Sequence, residues 1–199
     1  GLFIFFYFNS KINLRYKIFF VFSVICVFLV VILNSHEIRH RYNNDLVERL
    51  SDKEKREKFI YFKLYSSAFE IFKKYPVLGV GNKNYRIEAC KNFSEKNSKI
   101  FCNTHPHQIY FEFLSEHGLV GSLVIISIMF YIIFKNFKIM IKQENLIQIG
   151  CFSFLIINFI PILPGGSFFA DFNSNFFWLN LSFYYACNNE TNIFKKIND

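Results

Sequence analysis

Hydrophobic residues form long runs along this chain, and polar or basic segments separate them. The run IFFVFSVICVFLVVIL has no charged residue and is nearly long enough to cross the hydrocarbon core of a bilayer as a helix. Three further runs follow, so the pattern predicts transmembrane helices over residues 18–34, 119–134, 146–163 and 176–188. The opening GLFIFFYF is also apolar, and we expect residues 1–8 to end a preceding helix of a longer protein.

Between the first two predicted transmembrane helices lies a long polar loop, residues 35–118. Within it, residues 59–75 repeat apolar positions at the period of an α-helix. The apolar arc of this helix consists of Tyr61, Leu64, Tyr65, Ala68, Ile71, Phe72 and Tyr75. Such an amphipathic helix can lie along the membrane surface or cap the transmembrane helices. The following PVLGVGNKNYR predicts a tight turn at Gly79 and Gly81, because a dinucleotide-binding motif would need a third glycine and a preceding strand.

The net charge of +8 is unevenly distributed. If each predicted helix crosses the membrane once, three short segments of the chain lie on the same side. The basic residues of these segments are Lys11, Arg15, Lys17, Lys135, Lys138, Lys142, Lys195 and Lys196. Because positive short loops mark the cytoplasmic side, residues 35–118 and the short loop 164–175 are predicted to be periplasmic. This distribution argues against a nucleic-acid interface. The predicted fold is all-α, a polytopic transmembrane helix bundle with a helical periplasmic loop subdomain.

Five cysteines fall into two groups. Cys90 and Cys102 flank a polar stretch of the predicted periplasmic loop, where an oxidising environment favours a disulfide between them. Cys26, Cys151 and Cys187 lie in or beside apolar runs and are predicted to be small core residues.

The sequence HEIRH matches the H-E-x-x-H pattern of zinc proteases. On a helix, His36 and His40 would share a face and bind zinc, with Glu37 as the general base. The motif lies at the end of a predicted span, charged sequence follows it, and no third ligand is evident. A membrane zinc hydrolase therefore stays as an alternative of a different class, beside an ordinary polar stretch at the membrane surface.

A second histidine motif lies in NTHPHQIYFEFLSEHG, for which we predict a helix over residues 106–117. Thr104 or His105 would cap this helix, and Pro106 is favoured in its first turn. At 100° per residue, His107 falls on the apolar face. The opposite face would carry the polar side chains of Gln108, Glu112, Ser115 and Glu116.

The position of His107 suggests acid–base chemistry. The free N–H groups and the dipole at a helix N-terminus attract an anion such as phosphate and disfavour a protonated imidazole. A neutral His107 could therefore accept a proton from a hydroxyl nucleophile near a phosphate-bearing substrate. Two alternatives stay open: a capping histidine bonded to a backbone carbonyl, and a metal site formed by Cys102, His105 and His107.

Three stretches resemble the C-terminal half of bacterial O-antigen ligases, a family that also includes O-antigen polymerases and related oligosaccharyltransferases. They are PVLGVGNKNYRIEAC, CNTHPHQIYFEFLSEHGLVGSL and PGGSFFADFNSNFFWLNLSF. The resemblance covers about residues 59–185, and its most specific part is H-P-H-[NQ]-x-Y-x-x-x-L-x-E-x-G-x-x-G over residues 105–121. This chain has Gln108 where the family usually has asparagine.

The resemblance implies glycosyl transfer in the bacterial inner membrane, with the long loop in the periplasm. The donor would be an undecaprenyl-diphosphate-linked glycan and the acceptor lipid A–core or another glycan, with membrane lipids around the protein and no metal or other cofactor. His107 matches the catalytic histidine of the family and would be the base. An O-antigen polymerase and a protein oligosaccharyltransferase are the related alternatives, and a non-enzymatic anchor or transporter segment is the remaining one.

Family arginines bind the donor diphosphate, because a guanidinium group can bind two phosphate oxygens at once. Arg86 matches an arginine that one subgroup of the family has after the glycine turn. Another family arginine aligns with Tyr61 in this chain, and Arg56 lies five residues before that position. A third would precede this sequence, so we expect the chain to be inactive alone. The predicted substrate-binding residues are Arg86, Gln108, Arg56, His105 and Asp171.

Overall fold

A computed structural model describes most of the chain. The described residues are 12–40, 59–91, 100–143, 145–161 and 163–192, without the side chains of Arg39 and His40. Their regular structure is entirely α-helical, as predicted, and they include no strand. The helices are α1 Leu14–Asn34, α2 His36–His40, α3 Ile60–Lys74, α4 Tyr85–Lys91, α5 Ile109–Phe134, α6 Phe137–Gln143, α7 Leu146–Ile157 and α8 Asp171–Ala186.

Two helical stretches are long and apolar enough to cross a membrane, Leu14–Asn34 and Ile109–Gln143, the second of which joins α5 to α6. Helix α7 is apolar but has only 12 residues, shorter than the predicted span of 146–163. Pro161 follows its end and could not donate the hydrogen bond that a continuing helix needs. Helix α8 starts at Asp171, so the segment between α7 and α8 covers residues 158–170 and lies earlier in the chain than the predicted loop 164–175.

Gly118 divides α5 into two parts with different compositions. Its φ of +63 interrupts the helical backbone, and glycine adopts this conformation without the penalty that a Cβ brings. The part before it contains two glutamates and a histidine, whereas residues 119–134 contain no charged side chain. Residues 119–134 are the part of α5 that we expect to span the membrane.

The larger core is formed by α5, α6, α7, α8 and the segment between α7 and α8. Its buried aromatic and aliphatic side chains include Phe113, Ile133, Met140, Ile149, Phe152, Leu155, Phe159, Phe168, Phe177 and Tyr184. Polar groups inside it are paired, since the Tyr184 hydroxyl donates to the Ile133 carbonyl at 3.0 Å. The buried Gln148 side chain donates to the Tyr184 carbonyl at 3.0 Å. Buried polar groups that are hydrogen-bonded in this way fix how neighbouring helices pack.

A smaller core lies under α3. Its buried members are Ala68, Ile71, Tyr85, Ala89 and Ile100, which come from α3, α4 and the segment before the histidine motif. The apolar arc of α3 therefore packs against protein, and Tyr65 stacks on Phe111 of α5 with ring centroids 5.0 Å apart. Ser67, which lies outside the predicted apolar arc, is also buried, and its hydroxyl accepts a 2.6 Å hydrogen bond from the Phe101 N–H. The smaller core holds α3 and α4 against the first part of α5.

Candidate functional site

The H-P-H motif precedes helix α5 instead of starting it. His107 has a left-handed backbone conformation with φ +58, which does not fit inside an α-helix, and α5 begins at Ile109. Gln108 is the N-cap, because its Oε1 accepts a hydrogen bond of 2.9 Å from the Phe111 N–H. The predicted helix start at Pro106 is therefore wrong.

The two histidines of the motif lie against each other. Their ring centroids are 3.9 Å apart, and the Tyr61 ring meets His107 edge-on at 6.2 Å. The Gly165 N–H donates to the His107 carbonyl at 2.9 Å, which fastens the motif to the loop between α7 and α8. Burial lowers the pKa of His105, nearby His107 lowers it further, and the Gly165 backbone opposes both effects. These effects together favour the neutral form of the His105 ring.

Gln108 connects the motif to the end of α7. Its Oε1 caps α5, and its Nε2 donates to the Pro161 carbonyl at 3.2 Å. Nearby, the Tyr110 hydroxyl donates to the Phe159 carbonyl at 2.7 Å. Because both ends of the buried Gln108 amide are engaged, the structure favours a positioning role over the predicted contact with substrate.

The polar face at the start of α5 is buried. Gln108, Glu112, Ser115 and Glu116 are each at most 5% exposed, so the prediction that they face away from the core is wrong. Glu112 accepts hydrogen bonds from the Ser167 hydroxyl and, at 2.9 Å, from the Phe168 N–H. Burial raises the pKa of Glu112 to about 7 despite these hydrogen bonds. Sequence reasoning missed this residue, because a helical projection does not show which face meets protein.

Glu116 organises the glycine-containing turn before α4. Its Oε2 accepts from the Lys83 N–H at 2.9 Å and its Oε1 from the Tyr85 N–H at 3.3 Å. Burial raises the pKa of Glu116, and these N–H groups and the Lys83 charge oppose the rise. Lys83 has a φ of +60, a conformation uncommon outside glycine, and the Glu116 carboxylate holds it.

The glycine-containing turn touches the kink of α5 backbone to backbone. The Val80 N–H donates to the Ser115 carbonyl at 3.0 Å, and the Gly81 N–H donates to the Glu116 carbonyl at 2.7 Å. A Cβ added at Gly79 or Gly118 would lie closer than 3.0 Å to backbone atoms of the other segment. Both glycines also have positive φ. The predicted turn at Gly79 is therefore present, and it packs directly on the second half of the histidine motif.

These segments line an open cavity of about 390 Å³. Its lining consists of Lys83, Arg86, Thr104, His105, Glu116, Gly166, Ser167, Ala170 and Asn173. The structure thus brings together Arg86 and His105, two of the predicted substrate contacts, and His107 lies behind His105. Asp171 lies beside the cavity, is almost fully exposed, and has its Oδ1 3.4 Å from the Lys83 Nζ. Lys83 was missed, although a lysine three residues before Arg86, just after a glycine turn, was a usable signal.

Two other sequence predictions, a substrate contact at Arg56 and a zinc site at residues 36–40, receive no support from the described residues. Arg56 lies outside the described residues. In the zinc-like motif, His36 and Glu37 are exposed, and the side chain of His40 is outside the described part. Among the described residues, no three His, Cys, Asp or Glu side chains form a group that could hold a metal ion. The described part of the chain therefore gives the zinc alternative no support.

Cys90 and Cys102, the predicted pair, are joined by a disulfide with their Cα atoms 4.4 Å apart. The bond links the end of α4 to the segment that leads into the histidine motif. It rules out the metal site that would combine Cys102 with His105 and His107, because a disulfide sulfur is not a free thiolate ligand.

A sequence model of a known protein family matches the greater part of this chain. The sequence model of the family described as O-antigen ligase matches residues 1–126, which is more than half of the 199 residues. This range includes the glycine-containing turn, the histidine motif and the kink at Gly118. A search of curated proteins and a search of solved structures each found no match.

Proposed function

The chain belongs to the O-antigen ligase family, and on that premise we propose that it supplies the catalytic histidine of a membrane glycosyltransferase. The enzyme works at the periplasmic face of the bacterial inner membrane. Its donor is a glycan linked to undecaprenyl diphosphate, and its acceptor is a sugar hydroxyl of lipid A–core. His107 is the base, and Arg86 binds the donor.

The observation that supports this proposal most strongly is that two cations meet His105, the neighbour of His107, at one cavity. Lys83 and Arg86 line the same cavity as His105, and His105 touches His107. A diphosphate leaving group needs positive charge close to its oxygens, because negative charge develops there as the glycosyl bond breaks. Hydrogen bonds to charged donors are also the strongest contacts available to phosphate oxygens.

The proposed reaction is a single displacement. His107 takes the proton of the acceptor hydroxyl as the oxygen attacks the anomeric carbon of the donor sugar. The bond between that carbon and the diphosphate oxygen breaks, and undecaprenyl diphosphate leaves with both bonding electrons. Lys83 and Arg86 stabilise the negative charge on the leaving group, so we assign no metal ion and no nucleotide to the step.

The fixed backbone of the motif also supports this assignment. The His107 carbonyl is held by the Gly165 N–H, and Gln108 caps α5 immediately after it. A catalytic base must keep its position relative to the reacting proton, and losses of about 10²-fold follow from small displacements. We therefore expect the imidazole of His107 to be essential and its backbone position to be maintained by neighbours without catalytic groups.

The test is complementation of bacteria that lack the native enzyme with the full-length protein. His107→Ala should abolish polysaccharide attached to lipid A–core while the lipid-linked donor accumulates and the variant remains in the membrane at normal levels. His36→Ala is the matched control, because it removes an exposed imidazole of the zinc-like motif and should leave the polysaccharide unchanged. Normal polysaccharide with His107→Ala would remove this residue from the mechanism.

The accumulated donor separates a ligase from a polymerase. If the enzyme is a ligase, the donor that accumulates carries long glycan chains, because polymerisation continues without transfer. If the enzyme is a polymerase, the donor carries single repeat units, and lipid A–core receives at most one unit. The second result would replace the proposed acceptor and keep the histidine chemistry.

A further inference from the structure

The turn after α3 presents apolar side chains at its tip. Val77 is 60% exposed and Leu78 is 72% exposed, and no other large apolar side chain in the described residues is more exposed than Leu78. Tyr75, just before them, is 42% exposed. On the far side of the same turn the exposed residues are polar, Asn82 and Asn84. The two sides of the turn thus differ sharply in polarity.

The tip is attached to the first residues of the membrane-spanning part of α5. The Leu119 N–H donates to the Pro76 carbonyl at 2.8 Å, and the Val120 N–H donates to the Val77 carbonyl at 3.2 Å. Because Gly79 and Gly118 leave no room for side chains between the two backbones, the tip cannot shift along α5 without breaking these bonds. Its height relative to the span is therefore fixed.

The lipid-facing side of the span begins at the same height. Apolar side chains that are at least half exposed form one stripe along this part of α5, at Leu119, Val120, Leu123, Val124, Ile128 and Tyr131. Residues spaced in this way share one face of a helix. The exposed tip is thus continuous with the start of a surface that a membrane would cover.

We propose that the turn at residues 76–78 inserts Val77 and Leu78 into the lipid bilayer beside the first turn of the membrane-spanning part of α5. The occupant of this surface is lipid, because the hydrogen bonds to Leu119 and Val120 place the tip where the hydrocarbon-facing stripe starts. Lys73 and Lys74 end α3 just before the turn, and basic side chains are favoured next to phospholipid headgroups. The turn thereby sets the height of the cavity that contains Lys83 above the membrane.

The experiment measures the depth of a tryptophan at the tip. Trp178 is the single tryptophan of the chain, so Trp178→Phe provides the background. Leu78→Trp is the test variant and Asn82→Trp, on the polar side of the same turn, is the matched control. Leu123→Trp marks the span about 6 Å further along α5. Each protein is reconstituted into phosphatidylcholine–phosphatidylglycerol vesicles that contain lipids brominated at shallow or deep acyl positions.

We expect shallow bromines to quench Leu78→Trp at least about twofold more than Asn82→Trp, as for a side chain at the headgroup–acyl boundary. Leu123→Trp should be quenched more by the deeper bromines. Val77→Trp repeats the test if Leu78→Trp loses the helical circular-dichroism signal of the background protein.

Two results would overturn the proposal. Equal quenching of Leu78→Trp and Asn82→Trp, with equal access to aqueous acrylamide, would show that water surrounds the tip. Blue-shifted emission without bromine quenching would show that protein, and not lipid, covers it.

Discussion

Glu112 lets the structure be tested through the pH dependence of stability. The carboxyl group is 2% exposed and accepts hydrogen bonds from Ser167 and Phe168. Burial raises its pKa from 4.5 to about 7. Because the pKa is raised in the folded state, the protonated carboxyl stabilises the fold below about pH 4.5, and this contribution is lost as pH rises through about 7. We predict that Glu112→Gln removes this loss.

The magnitude follows from the two pKa values. One unit of pKa corresponds to about 1.4 kcal/mol, so ionising Glu112 in the folded protein costs roughly 3 kcal/mol of unfolding free energy. Most of that loss falls between about pH 4.5 and pH 7, the ordinary pKa of the carboxyl and its pKa in the folded protein. Glutamine should reproduce the protonated acid, because its amide nitrogen can donate to the Ser167 hydroxyl and its amide oxygen can accept from the Phe168 N–H.

The assay is thermal unfolding of the purified protein in detergent at about pH 4 and pH 8. Glu112→Gln should match the parent at low pH and be several degrees more stable at high pH. Burial also lowers the pKa of His105 and His117, which removes stability as pH falls, but this effect is common to both proteins and cancels in their difference. Glu190→Gln, at an exposed carboxylate, is the matched control and should follow the parent. A parent–variant difference that is the same at both pH values would refute the reasoning.

Two further predictions concern the backbone around the site. Gly118→Ala should destabilise the fold by at least about 2 kcal/mol, because φ is +63 and the added Cβ would overlap the turn at Val77. Gly150→Ala, where nothing lies within 4 Å of the added Cβ, should be neutral or slightly stabilising in the same thermal assay, and equal effects at both glycines would contradict the close contact. Cys90→Ser should lower the free energy of unfolding by roughly 2–3 kcal/mol. Treating the parent with a reductant should lower its unfolding temperature as much as this substitution does. If neither change lowers the unfolding temperature, the disulfide does not hold α4 to the motif.

Much of the helical structure could be read from the sequence because it depends on local patterns. The uncharged runs predicted α1 and the membrane-spanning part of α5, and the 3.6-residue period predicted α3 within one residue of its bounds. The spacing of Cys90 and Cys102 in a polar loop pointed to the disulfide. The family pattern also located the histidine motif and the glycine turn, although it did not show that they touch.

The rest depends on contacts between residues far apart in sequence. The sequence placed Glu112 and Glu116 on the polar face of the helix. It did not show that they are buried, because their partners include backbone N–H groups near residues 168 and 83–85. A sequence shows which side chains are polar, but it does not show which backbone donors a turn will bring to them. The left-handed conformation of His107 was hidden for the same reason, since it depends on the loop at Gly165.

The direct contact between Gly79 and Gly118 has a mechanical consequence. With no side chain between the two backbones, the first residues of the apolar part of α5 cannot tilt without moving the turn that carries Lys83. Because the same turn is hydrogen-bonded to the Ser115 and Glu116 carbonyls, the turn and the start of α5 would move together as one rigid lever.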